Sequence, residues 1–148
     1  MRKKGEITFF NFKKDLKKMN YKIRVTNWET HQHYKKKNKN YNNEQPWFMV
    51  YGRKLLRDMK FMTMTPEQRD FLIVGCWAVG SQDNGFLPPI EEHAFWIRRD
   101  LAEVQKLTKF LLDEGWLETW SEEEYEKIQQ EQIDITYENQ IERARGMG

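Results

Sequence analysis

His31 and His33, with His93 and Cys76 farther along, are the only imidazoles and the only thiol in the chain, and metal binding is the chemistry such groups most readily serve. A histidine pair without a cysteine or carboxylate pattern at ligand spacing is weak evidence of a site, so His31 and His33 read as packing and hydrogen bonding beside Trp28. No metal is expected. Nucleophilic catalysis finds no support either. There is no Ser-His-Asp order and no glycine-rich phosphate loop, and Gly75, Gly80 and Gly85 are separated by helix and turn signals. The expectation is a protein that is not an enzyme, with no catalytic residue and no cofactor.

The remaining chemistry is electrostatic. Lys35, Lys36, Lys37 and Lys39 stand among asparagines, flanked by Tyr34 and Tyr41, whose rings could stack on bases or sugars while the ammonium groups neutralise phosphates. The plainer reading is a solubilising loop. Net charge is only +2, yet residues 1–60 carry 17 Lys or Arg against 5 Asp or Glu, while residues 61–148 carry 8 against 18. A basic front of this density is the footprint of a phosphate-backbone binder, and an acidic rear would repel the same polymer. The alternative is a solvated surface whose two halves attract each other. Within the rear, the acidic stretch from Asp113 to Glu131 reads first as the solvated face of a helix, and second as an intramolecular mimic of DNA or a hold for a basic partner.

These groups must be positioned by a single domain, since 148 residues leave little room for a second core. No stretch approaches the roughly 18 apolar residues of a membrane span, and the first residues lack the apolar run of a signal peptide. A cytoplasmic protein that does not enter membranes is expected, in a reducing compartment where Cys76, inside the apolar run Phe71 to Val79, is a buried thiol.

Residues 1–20 alternate lysines with Phe9, Phe10, Phe12 and Leu16 and read as a basic extension. Tyr21, Ile23 and Val25 alternate with Lys22, Arg24 and Thr26, the period of a half-buried strand. Phe48, Tyr51, Leu55 and Met59 follow Pro46 at helical spacing, with Arg53, Lys54 and Arg57 opposite. Thr65-Pro66-Glu67-Gln68 is a capping box with proline at the first helical position, and the helix it opens is apolar on every face, which places it at the centre. Asp83-Asn84-Gly85 marks a turn before a brief strand at Phe86-Leu87. Ile90 to Arg99 and Ala102 to Glu114 read as two helices broken near Asp100, with Val104, Leu107 and Leu111 inward and Gly115 as the terminal cap. Trp116 to Trp120 alternates as an edge strand. Ser121 to Glu124 is a second capping box, opening a helix with Tyr125 and Ile128 inward. Ile133, Tyr137 and Ile141 continue it, although 133–137 also alternate as a strand would. Residues 145–148 are expected to be disordered.

Two short helices, a tight turn and a following strand constitute helix-turn-helix plus wing. The fold class is therefore mainly α with a small β component. A basic extension (1–20) precedes a winged-helix-like domain (21–120), and an acidic C-terminal helix with a disordered end (121–148) follows.

The run Ile23-Arg24-Val25-Thr26-Asn27-Trp28-Glu29-Thr30-His31-Gln32-His33-Tyr34-Lys35, then Pro46-Trp47-Phe48, resembles the opening of phage and prophage replisome organisers. The similarity continues through Leu55-Leu56-Arg57-Asp58, the helix after Thr65, the turn before Leu87-Pro88, and Leu111 to Leu117, covering roughly residues 22 to 120. The resemblance implies an N-terminal winged-helix domain that binds origin DNA. In the family a separate C-terminal region recruits the helicase-loading machinery. The tail after Trp120 is short and acidic here, which suggests a stand-alone relative with a regulatory or adaptor task in the host cytoplasm.

In a helix-turn-helix the second helix enters the major groove, which nominates Glu103, Gln105, Lys106 and Lys109, with Arg98, Arg99 and the lysine loop on phosphates. Double-stranded DNA is the first expected partner. The second is a host replication protein, held by a phage-encoded adaptor or inhibitor on the same fold, and the weakly basic character of helix 102–114 favours it.

Overall fold

Alternation from Tyr21 to Val25 produces a strand, β1 (Tyr21–Val25), that buries Ile23 and Val25. The computed structural model of this chain describes residues 21–32 and 47–146, so the basic extension and the lysine loop Lys35, Lys36, Lys37 and Lys39 lie outside the described residues. After β1 come the single turn α1 (Trp28–His31), α2 (Gly52–Leu56), α3 (Met59–Met62) and α4 (Pro66–Asp70). The capping box expected at Thr65 forms in both directions, at 3.2 Å from the Gln68 amide to the Thr65 hydroxyl and 2.9 Å from the Thr65 amide to the Gln68 side chain.

α4 runs directly into a π-helical segment, Phe71–Ala78, which places Phe71, Leu72 and Cys76 at the centre of the core. Such i→i+5 segments are rare and appear mostly as single-turn bulges. The Gly75 carbonyl accepts a hydrogen bond from Nε2 of the buried His93. The expectation of a helix buried on every face is corrected: Val74 is exposed and Ile73 and Trp77 are half-buried, so this segment turns one side away from the core that Phe71, Leu72 and Cys76 enter.

His93 belongs to α5 (Ile90–Trp96), which is followed by α6 (Leu101–Asp113). α6 buries Val104, Thr108 and Leu111 and stops as expected at Gly115, whose φ of 85° suits a residue without a Cβ. The amides of Gly115 and Trp116 then return to the carbonyls of Leu112 and Leu111. The chain turns into β2 (Leu117–Ser121), antiparallel to β1 with Val25 opposite Leu117 and Tyr21 opposite Ser121.

β1 is bracketed on both sides. Its even-numbered residues face β2, while the Val25 amide donates to Gly85 and the Ile23 carbonyl accepts from Leu87, making a bridge between Arg24 and Phe86. The Phe86-Leu87 strand of the sequence is thus reduced to this bridge. β2 does not turn back into a hairpin. It leads at once into α7 (Glu122–Gly146), opened by the Ser121–Glu124 capping box. The architecture is mainly helical with one two-stranded antiparallel sheet.

Two further expectations are corrected. The helix read from Pro46 to Met59 forms only in part: Pro46 lies outside the described residues, 47–51 are not helical, α2 starts at Gly52, and Asp58 adopts extended backbone and caps α3 through the Phe61 amide, which rephases the chain and turns Met59 outward. Of the disordered end read over 145–148, residues 145 and 146 are helical, where Arg143 and Arg145 complement the negative end of the helix dipole, and 147 and 148 lie outside the described residues.

Gly85 has φ of 87°, and a Cβ there would lie 2.5 Å from Cγ of Trp28, so Gly85→Ala is expected to cost about 3 kcal/mol in a urea titration, from strained backbone plus overpacking. Burial holds His93 below its ordinary 6.5, outweighing the bond to Gly75 that favours the charged ring. The unfolded chain then takes up a proton that the folded chain refuses, so the stability from neutral His93 is complete above pH 6.5 and falls as pH drops below it. A His93→Leu variant is expected to be less stable at pH 7.5 but to show a flatter decline between pH 6.5 and 5 than the parent, measured as urea midpoints.

Candidate nucleic-acid interface

The residues nominated for DNA contact within the described chain sit around the α5–α6 turn. Arg98 occupies left-handed backbone at φ of 57° and lays its guanidinium over the Phe95 ring at 4.7 Å. Arg99 faces the other way, pairing with Asp70 at the end of α4 and with Glu103 at 3.3 Å. On α6, Lys109 pairs with Asp113 at 2.8 Å, Glu103 and Lys106 are exposed, and Gln105 is half-buried. Two of the four cations among these six residues, Arg99 and Lys109, thus already have carboxylate partners. Arg99 works as a fastener between α6 and α4.

A denser positive surface stands elsewhere. Arg53, Lys54, Arg57 and Lys60 are all exposed on the α2–α3 corner, within eight residues, and no ion pair joins Arg53, Arg57 or Lys60 to another described residue. The one acid among them, Asp58, is committed to capping α3. Lys54 carries its ammonium 5.1 Å from the Tyr51 ring centre. Between the cations project Leu56, 70% exposed, and Met59, 74% exposed, the most exposed large apolar side chains described.

The corner is fixed at both ends. On its near side the buried Gln32 side chain makes paired 2.9 Å hydrogen bonds to the amide and carbonyl of Met49, tying the approach to α2 against α1. The lysine loop follows Gln32 and precedes Met49 in sequence, so both its attachment points meet here. On the far side Arg69 donates to the Phe61 carbonyl at 3.3 Å and the Met62 carbonyl at 2.6 Å, closing the end of α3. Arg53, Lys54 and Arg57 were visible in sequence as a polar helix face. What periodicity could not supply was the break at Asp58, which adds Lys60 and exposes Met59.

A cavity of about 340 Å³ opens beneath the corner, lined among others by Trp28, Tyr51, Lys54, Trp77, Glu114 and Trp116. Its size falls within the range of ligand pockets, and its walls are aromatic. Among the described residues no group of three or more His, Cys, Asp or Glu is placed to hold a metal ion; His33 lies outside them. Cys76 is fully buried, and burial pushes its thiol pKa well up.

The acidic helix α7 lies across the outer face of the sheet. Tyr125 packs edge-on against Phe86 with ring centres 4.7 Å apart and donates its hydroxyl to Asp83 at 2.8 Å; burial first, and then Asp83, push its pKa up to about 12. Gln129 joins Asp83 and Asn84, and Lys22 lies over the Tyr125 ring at 4.7 Å. Glu122, Glu123 and Glu126 point to solvent, which agrees with the reading of a solvated helix face having Tyr125 and Ile128 inward. Among the described residues no helix is long and apolar enough to cross a membrane. No family model, curated protein or solved structure matches this chain.

If Arg99 is a fastener, Arg99→Ala is expected to cost about 0.5–1 kcal/mol of stability, with most of that loss absent in an Asp70→Ala background. A double-mutant cycle by urea unfolding measures it.

Proposed function

We propose that this chain is a DNA-binding protein of a phage or mobile element, built on a winged-helix-like domain and acting without chemistry in replication initiation or its regulation. The fold plan supports the first part. A central helix, the Gly85–Leu87 bridge segment, α5, α6 and β2 follow one another in winged-helix order, and β1 takes the middle position that a returning third strand would fill. The likeness to phage replisome organisers in residues 22 to 120 points the same way.

The observation that carries DNA binding is the α2–α3 corner, with four exposed cations in eight residues and its one acid consumed by a helix cap. Phosphates are the natural partner of such a surface. α6 offers little for reading bases, since Glu103 and Asp113 offset Lys106 and Lys109. Binding is therefore tolerant of sequence and steep in salt.

The protein-adaptor reading retains one specific support: Phe95, 65% exposed, and Trp96, 44% exposed, stand together beside the turn, where an aromatic anchor for a host replication protein would sit.

Fluorescence anisotropy with random-sequence duplex over a salt series tests the proposal. Affinity should fall steeply with salt, and replacing Arg53, Lys54, Arg57 and Lys60 by Gln should reduce the log–log slope by about 3 to 4, close to 0.9 per phosphate contact. Absence of binding at low salt overturns the DNA reading and leaves the adaptor.

A further inference from the structure

The basic corner carries something that phosphate contact does not require. Leu56 and Met59 are 70% and 74% exposed at its apex, with Arg53 and Lys54 before them, Arg57 between them and Lys60 after. A surface meant only for phosphates gains nothing from two large apolar side chains held in water. Within a duplex, the apolar surface available to them is the stacked face of a base pair, reached when a side chain enters between two steps. We propose that this apex is a wedge: Leu56 and Met59 enter a base step of bound duplex DNA, unstack it and kink the helix, while the four cations hold the phosphates on either side. The inference rests on the DNA-binding reading above and names what that surface does to its ligand.

Three features of the corner suit this task. Its exposure is built in, because the Asp58 cap on the Phe61 amide enforces the helix break that turns Met59 out while Phe61 is buried in the core. It is braced, because a wedge must resist the stack it opens; Arg69 from α4 grips the Phe61 and Met62 carbonyls, and its guanidinium lies 5.3 Å from the Phe61 ring centre. Its charges are available, because no ion pair joins Arg53, Arg57 or Lys60 to another described residue. Insertion also fits the mixed charge on α6. A protein that bends its site selects sequence by deformability, favouring pyrimidine–purine steps, without reading base edges.

The test uses the full chain with a duplex of about 24 base pairs, labelled with a donor and an acceptor at its ends and carrying 2-aminopurine at a central TA step. Anisotropy establishes saturation independently. On saturation, energy transfer should rise as the ends approach, and 2-aminopurine fluorescence should rise severalfold as its base unstacks. Leu56→Ala combined with Met59→Ala, both at exposed positions, should leave the circular dichroism unchanged. At saturation this variant should lose both signals, with affinity reduced less than about tenfold. Saturation of the parent protein with neither signal changed overturns the wedge and leaves the DNA reading standing, as does a variant that reproduces both signals. No saturation at low salt overturns the wedge together with the reading it rests on. Binding to phosphatidylserine vesicles without binding to duplex does the same and assigns the corner to an anionic lipid surface.

Discussion

A guanidinium leaves water only where hydrogen bonds and charge replace its hydration, and the side chain of Arg24 is almost wholly buried. Its Nε donates to the Asn84 carbonyl at 2.8 Å, a terminal nitrogen lies 3.6 Å from the Glu29 carboxylate, and its guanidinium lies against two rings that also touch each other, Phe86 at 4.7 Å and Trp120 at 4.8 Å. Those contacts reach α1, the 83–86 turn and β2 from a residue on β1. α7 then roofs the same cluster through Tyr125 on Phe86. Remove the charge and the outer face of the sheet becomes a set of aromatic edges with nothing to organise around. The sheet, the turn and the acidic helix are therefore held in one arrangement by a group that sequence reading places on a solvent-facing strand position.

That contrast shows where sequence was informative. Local signals with their own hydrogen-bond chemistry are realised as read: Thr65 with Gln68, Ser121 with Glu124, and Gly115 closing α6. Each is decided by atoms within a few residues. Arg24 and Tyr125 lie beyond such reasoning, because alternation marks which face of a strand points away from the core but not whether a helix a hundred residues later will cover it. The π-helical segment is another case. Phe71 to Ala78 reads as any apolar helix, and its widening is tied to a partner on α5, the His93 ring that takes the Gly75 carbonyl.

The candidate site divides in the same way. Charge density along the chain was plain to see, and among the described residues Arg53, Lys54, Arg57 and Lys60 are its exposed cluster. The α5–α6 cations looked equally suitable on paper, yet Arg99 and Lys109 have carboxylates of their own. Counting charges cannot separate a cation that holds the protein together from one that faces a ligand. Pairing distances can, and they move the weight of the proposed interface from the second helix of the turn to the short helices before the core. The Asp58 cap is the hinge of that shift, since one carboxylate breaks the helix, adds Lys60 to the corner and is itself directed at the Phe61 amide.

The position of β1 has a consequence for how the molecule comes into being. Tyr21 lies opposite Ser121, 100 residues apart in the chain, and the strand between β2 and the 85–87 bridge segment is the first of the three to be made. On a ribosome, β1 must wait until Gly85 has emerged for one neighbour and Ser121 for the other, while the helices from α4 to α6 can collapse on contacts close in sequence. The late step of folding is then the closure of a long loop around a preformed helical core, and Arg24 must go from water to its place against Phe86 and Trp120 at that moment. A nascent chain stalled before β2 would leave the β2-facing edge of β1 open, the state in which a protein of this plan is most at risk of pairing with another chain.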